Sequence, residues 1–285
     1  MKNALTFDVE EYFHAEAFAG VLRPEEWPGL ESRVQRTTDR LLEILAVGSA
    51  RATFFVLGWV AERHPDLVRR IHGGGHEVAC HGHGHRMIQR QSRREFAEDV
   101  RRAKAVLEDT TGAAVLGYRA PTFSVMRDTL WSLEVLAEIG LRYDSSIYPI
   151  THDRYGIPDA PRFPHLIRTP GGGEIAEFPL STVTVAGRRV PVAGGGYFRL
   201  APYRLTAWAI RRLNEREHQP AIVYLHPWEI DPRQPVPSVG WLQHLRHTVN
   251  MDKTERRLGR LLRDFAFAPA AEVLARTGVL VGDIR

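Results

Sequence analysis

Cysteine is nearly missing from this chain: Cys80 is the only one among 285 residues, so no intramolecular disulfide can form. That fits a reducing compartment. Long apolar runs are missing as well. No stretch approaches the roughly 20 residues a membrane-spanning helix needs. The N-terminus, Met1-Lys-Asn-Ala-Leu-Thr-Phe-Asp8, reaches an acid with no signal-peptide-like run before it, so a cytoplasmic location and no transmembrane segment are expected. Excess charge is also small. The formal net charge is +4 and the basic residues are spread out, which reads as a solvated surface and not a nucleic-acid face. An anionic polymer or a membrane surface stays open as a partner. No internal repeat or low-complexity linker divides the chain, whose length suits one large α/β domain or two small ones.

What is there is an alternation of strand and helix patterns. Leu5, Phe7 and Val9 alternate with Thr6, Asp8 and Glu10, which is strand period. Further strands are expected over residues 52–57, 78–80, 115–118, 141–143, 174–180 and 221–225. Between and after them the spacing predicts helices over 38–46, 59–71, 129–139, 202–217 and 252–265, a short segment over 272–275, and a long helix reaching about Leu107. Ser92 and Glu95 offer that long helix a capping box. Seven strands in β-then-α order argue for parallel pairing with helices outside. Residues 149–200, rich in Pro, Gly and Arg, are expected as long surface loops, with Gly194–Gly196 as a turn.

One stretch stands out: Glu77-Val-Ala-Cys-His-Gly-His-Gly-His85. A short strand runs into a loop carrying His81, His83 and His85. Imidazole suits zinc and similar divalent ions, and Gly82 and Gly84 let the backbone bend so that His81 and His85 can close on one ion. A solvated His-rich loop is the competing reading. Cys80 reads as a small buried apolar residue facing away from His81. Five strands end in polar residues, at Asp8/Glu10, His81, Arg119, Asp144 and His226, and catalytic groups of parallel α/β barrels sit at that edge. Asp8 and Glu10, two apart on a strand, share a face and can supply a metal-ligating carboxylate and a base. Taken singly, Arg119 before a proline and His226 at a strand end are more often structural residues.

Thr6-Phe-Asp-Val-Glu10, His81-x-x-x-His85, Arg119-Ala-Pro121, Asp144-Ser-Ser146 and Leu225-His-Pro227 occur in that order. Together they resemble the five motifs of the NodB-homology polysaccharide deacetylases, the family-four carbohydrate esterases, over roughly residues 3–230. The tail is similar to a subgroup linked to exopolysaccharide synthesis and exosortase loci. The resemblance implies an α/β fold, a distorted (β/α)7-type parallel barrel over residues 1–230, with residues 231–285 a helical extension packed on the same domain. It implies Asp8 as catalytic base, His226 as catalytic acid, Arg119 as the residue orienting Asp8, and Asp144 as the support of His226. Glu10, His81 and His85 are implied to hold a divalent metal, zinc by preference. His83 receives no role. The sequence departs from the family at Val9, where a second carboxylate is usual, at Gly82, where Ser or Thr is common, and at Thr122, where Tyr is common.

The implied reaction is hydrolysis of an N-acetyl group on an amino sugar, with an N-acetylated oligo- or polysaccharide as substrate, acetate as product and the oxyanion held in part by a backbone N–H near Thr122. Contact with a membrane-bound polysaccharide assembly stays open, as does oligomeric state. Two other readings stand beside it: a related barrel hydrolase of another amide, such as an allantoinase-like cyclic amide, and a carbohydrate-binding homologue without turnover.

Overall fold

The structure, a computed structural model, describes residues 1–192 and 194–280; the last five positions of the expected 231–285 extension lie outside the described residues. The strands are β1 (Lys2–Val9), β2 (Thr53–Val56), β3 (Glu77–Cys80), β4 (Gly117–Tyr118), β5 (Tyr143–Asp144), β6 (His165–Arg168), β7 (Glu174–Glu177), β8 (Thr182–Val185), β9 (Arg188–Pro191), β10 (Ile222–Leu225) and β11 (Ala266–Ala268). The main sheet runs β10-β1-β2-β3-β4-β5-β7-β6. Every pairing from β10 to β7 is parallel, and these are the seven strands expected from periodicity. Helices fill the crossovers from β1 to β5 and from β7 to β10, so the fold is α/β. Where β10 approaches the chain beyond β7, a side chain makes the link: Ile222 N donates to Ser181 Oγ at 2.8 Å.

Because β1 is buried along almost its whole length, its two faces enter two cores. Leu5, Phe7 and Val9 pack with Val34, Leu41 and Leu45 under the outer helices. Ala4 turns to the inside with Phe55, Ala79, Tyr143, Ile222 and Tyr224. Strand period puts Thr6 and Asp8 on that inner side too, and parallel pairing brings the C-terminal ends of the strands to one rim.

The inner core is tight enough to dictate a residue. At Gly117 an added Cβ would lie 2.1 Å from Cζ of Tyr143, whose hydroxyl is anchored on Glu77 Oε1 at 2.9 Å. Gly117→Ala is therefore expected to destabilise the protein by at least the roughly 1–3 kcal/mol of ordinary overpacking, read as a lower denaturant midpoint at unchanged m-value.

Several elements differ from expectation. The helix expected over 59–71 is two, Gly58–Arg63 and Pro65–Gly73: Pro65 lacks an N–H and excludes helical geometry from His64, which sits at φ −131°, ψ 55°. The helix expected over 202–217 runs Tyr203–Arg211 and widens into a π segment at Arg212–Arg216. Residues 149–200 are more ordered than the loops expected. They hold β6, antiparallel to β7, the β8–β9 hairpin and a helix Gly195–Leu200, which begins inside the expected turn. The tail brings a strand as well as helices: β11 pairs with β1 at Lys2–Ala4. Among the described residues no helix is long and apolar enough to cross a membrane.

Candidate active site

The C-terminal rim encloses a cleft of about 310 Å³ lined by Asp8, Glu10, His81, His85, Thr122 and His226, with Arg246 and His247 from the tail at its edge. Apart from Arg246 and His247, which stand on the helix Trp241–Thr248, each of these side chains arrives from a strand end or from the loop after it.

Asp8 ends the inner row of β1 and uses its two oxygens differently. Oδ1 accepts from Nη1 of Arg119 at 2.7 Å, while Oδ2 faces Nε2 of His226 at 3.8 Å. Arg119 is fully buried and satisfied on every side. It also donates to Thr6 Oγ1, to the Ser145 carbonyl and to Ser145 Oγ at 2.7, 2.9 and 2.9 Å, and lies over the Phe55 ring at 4.2 Å. A planar fork held by four oxygens cannot swing, so it fixes the carboxylate beside it.

Glu10 is equally buried. Its Oε1 accepts from Trp228 Nε1 at 3.0 Å. Oε2 lies 2.7 Å from Nε2 of His85 and 3.8 Å from Nε2 of His81, yet no aligned hydrogen-bond donor meets it. Burial alone would raise this carboxyl's pKa, but the charges of the surrounding imidazoles, His85 first, then His226 and His81, overcome burial and hold it well below the usual range. His81 Nδ1 lies 2.8 Å from the Arg119 carbonyl. That contact assigns the proton to Nδ1 and leaves the Nε2 lone pair free for the cleft. Burial drives the His81 pKa down to about 4, so the ring is neutral at pH 7.

The loop from β3 is shaped to bring His85 back to Glu10. Gly82 has φ +73°, and a Cβ there would meet Asp99 Oδ2 at 2.9 Å. Asp99 pins the loop by accepting from the amides of His83 and Gly84 at 2.7 and 3.1 Å. His85 itself takes φ +49°, a strained setting for a non-glycine residue. His83 points elsewhere, to Glu62 at 3.1 Å. One donor atom each from Glu10, His81 and His85 lies within 4.8 Å of the others. Two imidazole nitrogens and one buried carboxylate with an unsatisfied oxygen form a donor set that fits a divalent ion.

His226 follows β10. Its Nδ1 lies 2.8 Å from Glu229 Oε1 and its Nε2 3.8 Å from Glu10 Oε1. Burial lowers its pKa, but the hydrogen bond to Glu229 and the charges of Glu10, Glu229 and Asp8 outweigh burial and push it up to about 9. The expectation that Asp144 supports His226 is corrected. Asp144 accepts from Ser146 Oγ and Ser146 N at 2.6 and 3.1 Å and faces Glu177; beside Tyr118 and Glu177 in the sheet, it lies by strand period on the face opposite the inward Tyr143, and Glu229 occupies the place beside the imidazole.

Asp144 and Glu177 form a buried carboxyl pair. Burial raises both pKa values, and Asp144 pushes Glu177 well above the ordinary range. A carboxyl raised on folding contributes stability that is full below its unfolded value, about 4.3, and is lost as pH climbs through the folded value. Glu177→Gln is expected to gain stability over the parent progressively above about pH 4.3, measured as the difference in denaturant midpoint across a pH series.

Sequence reading missed several residues of this site. Glu229 stands three residues after His226, on the turn Pro227–Ile230, and that spacing was the available signal. Trp228 reaches Glu10 only through the fold. His14 lies on a single turn, Tyr12–His14, with its ring stacked on His85 at 5.8 Å and edge-on to Trp27 and Trp59. Burial drives its pKa well down. Nothing in its spacing marks it.

Residues 4–143 match the model of the family described as polysaccharide deacetylase. Residues 145–275 match that of a domain of unknown function, DUF3473. A peptidoglycan-N-acetylglucosamine deacetylase of Bacillus cereus is 29% identical over 134 residues, 44% of this chain and 46% of that protein. A chitooligosaccharide deacetylase of Sinorhizobium fredii is 36% identical over 100 residues, 35% of this chain and 44% of that protein. The chain thus spans less than half the length of these curated relatives. A crystal structure of a provisionally assigned polysaccharide deacetylase from Mycobacterium smegmatis superposes with a TM-score of 0.63 at 22% identity, covering 99% of this chain and 92% of that one, a likeness of fold.

Proposed function

Residues 4–143 belong to the polysaccharide deacetylase family, and from that membership we propose that the cleft hydrolyses the N-acetyl group of amino sugars in an oligo- or polysaccharide, releasing acetate. The observation that carries the reading is the convergence of Glu10, His81 and His85 within reach of Asp8 and His226. Glu10, His81 and His85 would hold a divalent ion, zinc by the nitrogen-rich donor set. Such an ion supplies Lewis acidity, polarising a carbonyl and making water a stronger nucleophile at neutral pH.

The chain's own residues do the rest. Asp8, its Oδ1 committed to Arg119, takes a proton on Oδ2 as water adds to the acetyl carbon. The backbone N–H of Thr122, held at φ +56° on the cleft wall, faces the developing oxyanion. His226, whose pKa is pushed up to about 9 by Glu229 and the nearby carboxylates, carries a proton at neutral pH and delivers it from Nε2 to the amine nitrogen as the C–N bond breaks. The products are acetate and a free amino sugar. The same reading treats residues 1–230 as the barrel and 231–285 as an extension packed on it, which the β11–β1 pairing supports. A place in exopolysaccharide synthesis is the biological setting we propose, supported by the tail's resemblance alone.

The test is acetate release by the metal-loaded protein from N-acetylglucosamine oligomers, with small cyclic amides in parallel. Acetate appearing with the oligomers supports the reading. Turnover of cyclic amides alone, or sugar binding without turnover, contradicts it.

A further inference from the structure

The acid's support in this chain comes from an unexpected quarter. His226 donates Nδ1–H to Glu229 Oε1 at 2.8 Å, and the same oxygen accepts from the His226 amide at 3.0 Å. Oε2 of Glu229 accepts from Nε of Arg199 at 2.6 Å. Both partners of this pair are buried, with side-chain exposures of 3% and 0%, so neither charge is screened by water. Arg199 stands on the helix Gly195–Leu200. Its Nη1 donates to the carbonyls of His247 and Val249 at 2.7 and 3.0 Å, and its Nη2 to that of Arg246 at 3.3 Å. The aromatic side of the ring is fixed as well: Trp228 stacks on His226 at 4.8 Å, and His247 stacks on the far face of Trp228 at 4.6 Å.

We propose that Glu229, clamped by Arg199 and the carbonyls of Arg246, His247 and Val249, is the positioning residue for His226, so that the region matching the domain of unknown function sets the orientation of the catalytic acid. This rests on the deacetylase reading above. The chemistry follows from which nitrogen is committed. With Nδ1–H held by a carboxylate, the ring cannot rotate, and Nε2 is the nitrogen aimed into the cleft toward Asp8 and Glu10. A buried carboxylate in that place fixes tautomer and orientation without itself taking the proton. Arg199 keeps the Glu229 carboxylate charged and aimed. A carboxylate three residues along a turn can do this job only if something buried holds it, and the strand-end Asp144 is committed to Ser146 on the sheet face opposite the inward Tyr143.

A purely structural ion pair would look alike in a static view, so the test turns on the leaving group. An amine must be protonated as it departs, whereas the aryl oxide of an activated aryl acetate leaves without a proton. A misaimed acid slows only the first; a damaged fold or a lost metal slows both. Metal-loaded parent, Glu229→Gln, Glu229→Asp and Arg199→Lys proteins are assayed on N-acetylglucosamine oligomers and on an aryl acetate. Glu229→Gln is expected to lower kcat on the oligomers about 10–100-fold, the usual range for an outer-shell partner, with KM and aryl acetate turnover held within about threefold. Glu229→Asp restores part of the loss, and Arg199→Lys shows the same selectivity should Glu229→Gln fail to fold. Equal losses on both substrates, or no loss on either, overturn the proposal, as does selective loss in Asp144→Asn. A parent protein that releases no acetate from the oligomers sinks the deacetylase reading instead, which separates the two failures.

Discussion

Asp8→Asn is expected to lower acetate release by about 10²–10⁴-fold, the usual share of a general base, while the protein still binds its divalent ion. The substitution keeps shape and removes only basicity. Asparagine can still accept from Arg119 through its oxygen, so the fork that ties Thr6, Asp8 and Ser145 together has a partner. Asp8 is not among the three residues whose donor atoms converge, so metal affinity has no reason to fall. Steady-state assays on N-acetylglucosamine oligomers, with metal content measured on the same preparation, check this. Loss of metal together with activity would put Asp8 among the ligands instead.

Glu10→Gln is expected to abolish tight metal binding, and with it turnover. Glu10 is the one charged donor of the three. Removing it costs more than the roughly 10–100-fold in affinity that loss of an outer-shell partner costs. The surroundings of Glu10 hold its carboxyl well below the usual range, so folding favours the charged form and metal-free Glu10→Gln is expected to melt below the metal-free parent at neutral pH. Melting also reads the metal. Adding the ion raises the Tm of the parent, because a ligand binding only the folded state adds RT ln(1 + [L]/Kd), and leaves Glu10→Gln unmoved. A chelator competition titration and paired melting curves test both arms. Equal metal-induced shifts in the two proteins would contradict the assignment.

How much of this was legible beforehand follows the range of the interactions involved. The seven parallel strands could be read because each is a short apolar run with a polar end, a local signal. The Ser92–Glu95 cap is likewise local, and the structure holds it, with Glu95 N donating to Ser92 Oγ at 3.3 Å. Asp8, Glu10, His81, His85, Arg119 and His226 could be singled out because chemistry-bearing residue types recur at strand ends. The β8–β9 hairpin was hidden in a stretch where Pro, Gly and Arg outnumber strand formers. The helix break at Pro65 was readable in principle, since proline excludes helix from the residue before it, but the apolar stripe from Trp59 to Ile71 masked it. Glu229 and Arg199 were not legible because their meaning depends on a contact across 30 positions of chain, made only when the helix at Gly195–Leu200 docks against the tail. Asp144 was misplaced for the converse reason: its motif was intact, but its carboxylate is held by Ser146 and turned toward Glu177.

The convergence of Glu10, His81 and His85 is tested most directly by a crystal structure of the protein grown with zinc, with anomalous diffraction recorded on either side of the metal edge. One anomalous peak is expected in the cleft, about 2.0–2.2 Å from a Glu10 oxygen and from the Nε2 atoms of His81 and His85, with Asp8 nearby and unligated. A cleft without a peak at full zinc loading, or a peak held by other residues, would contradict it.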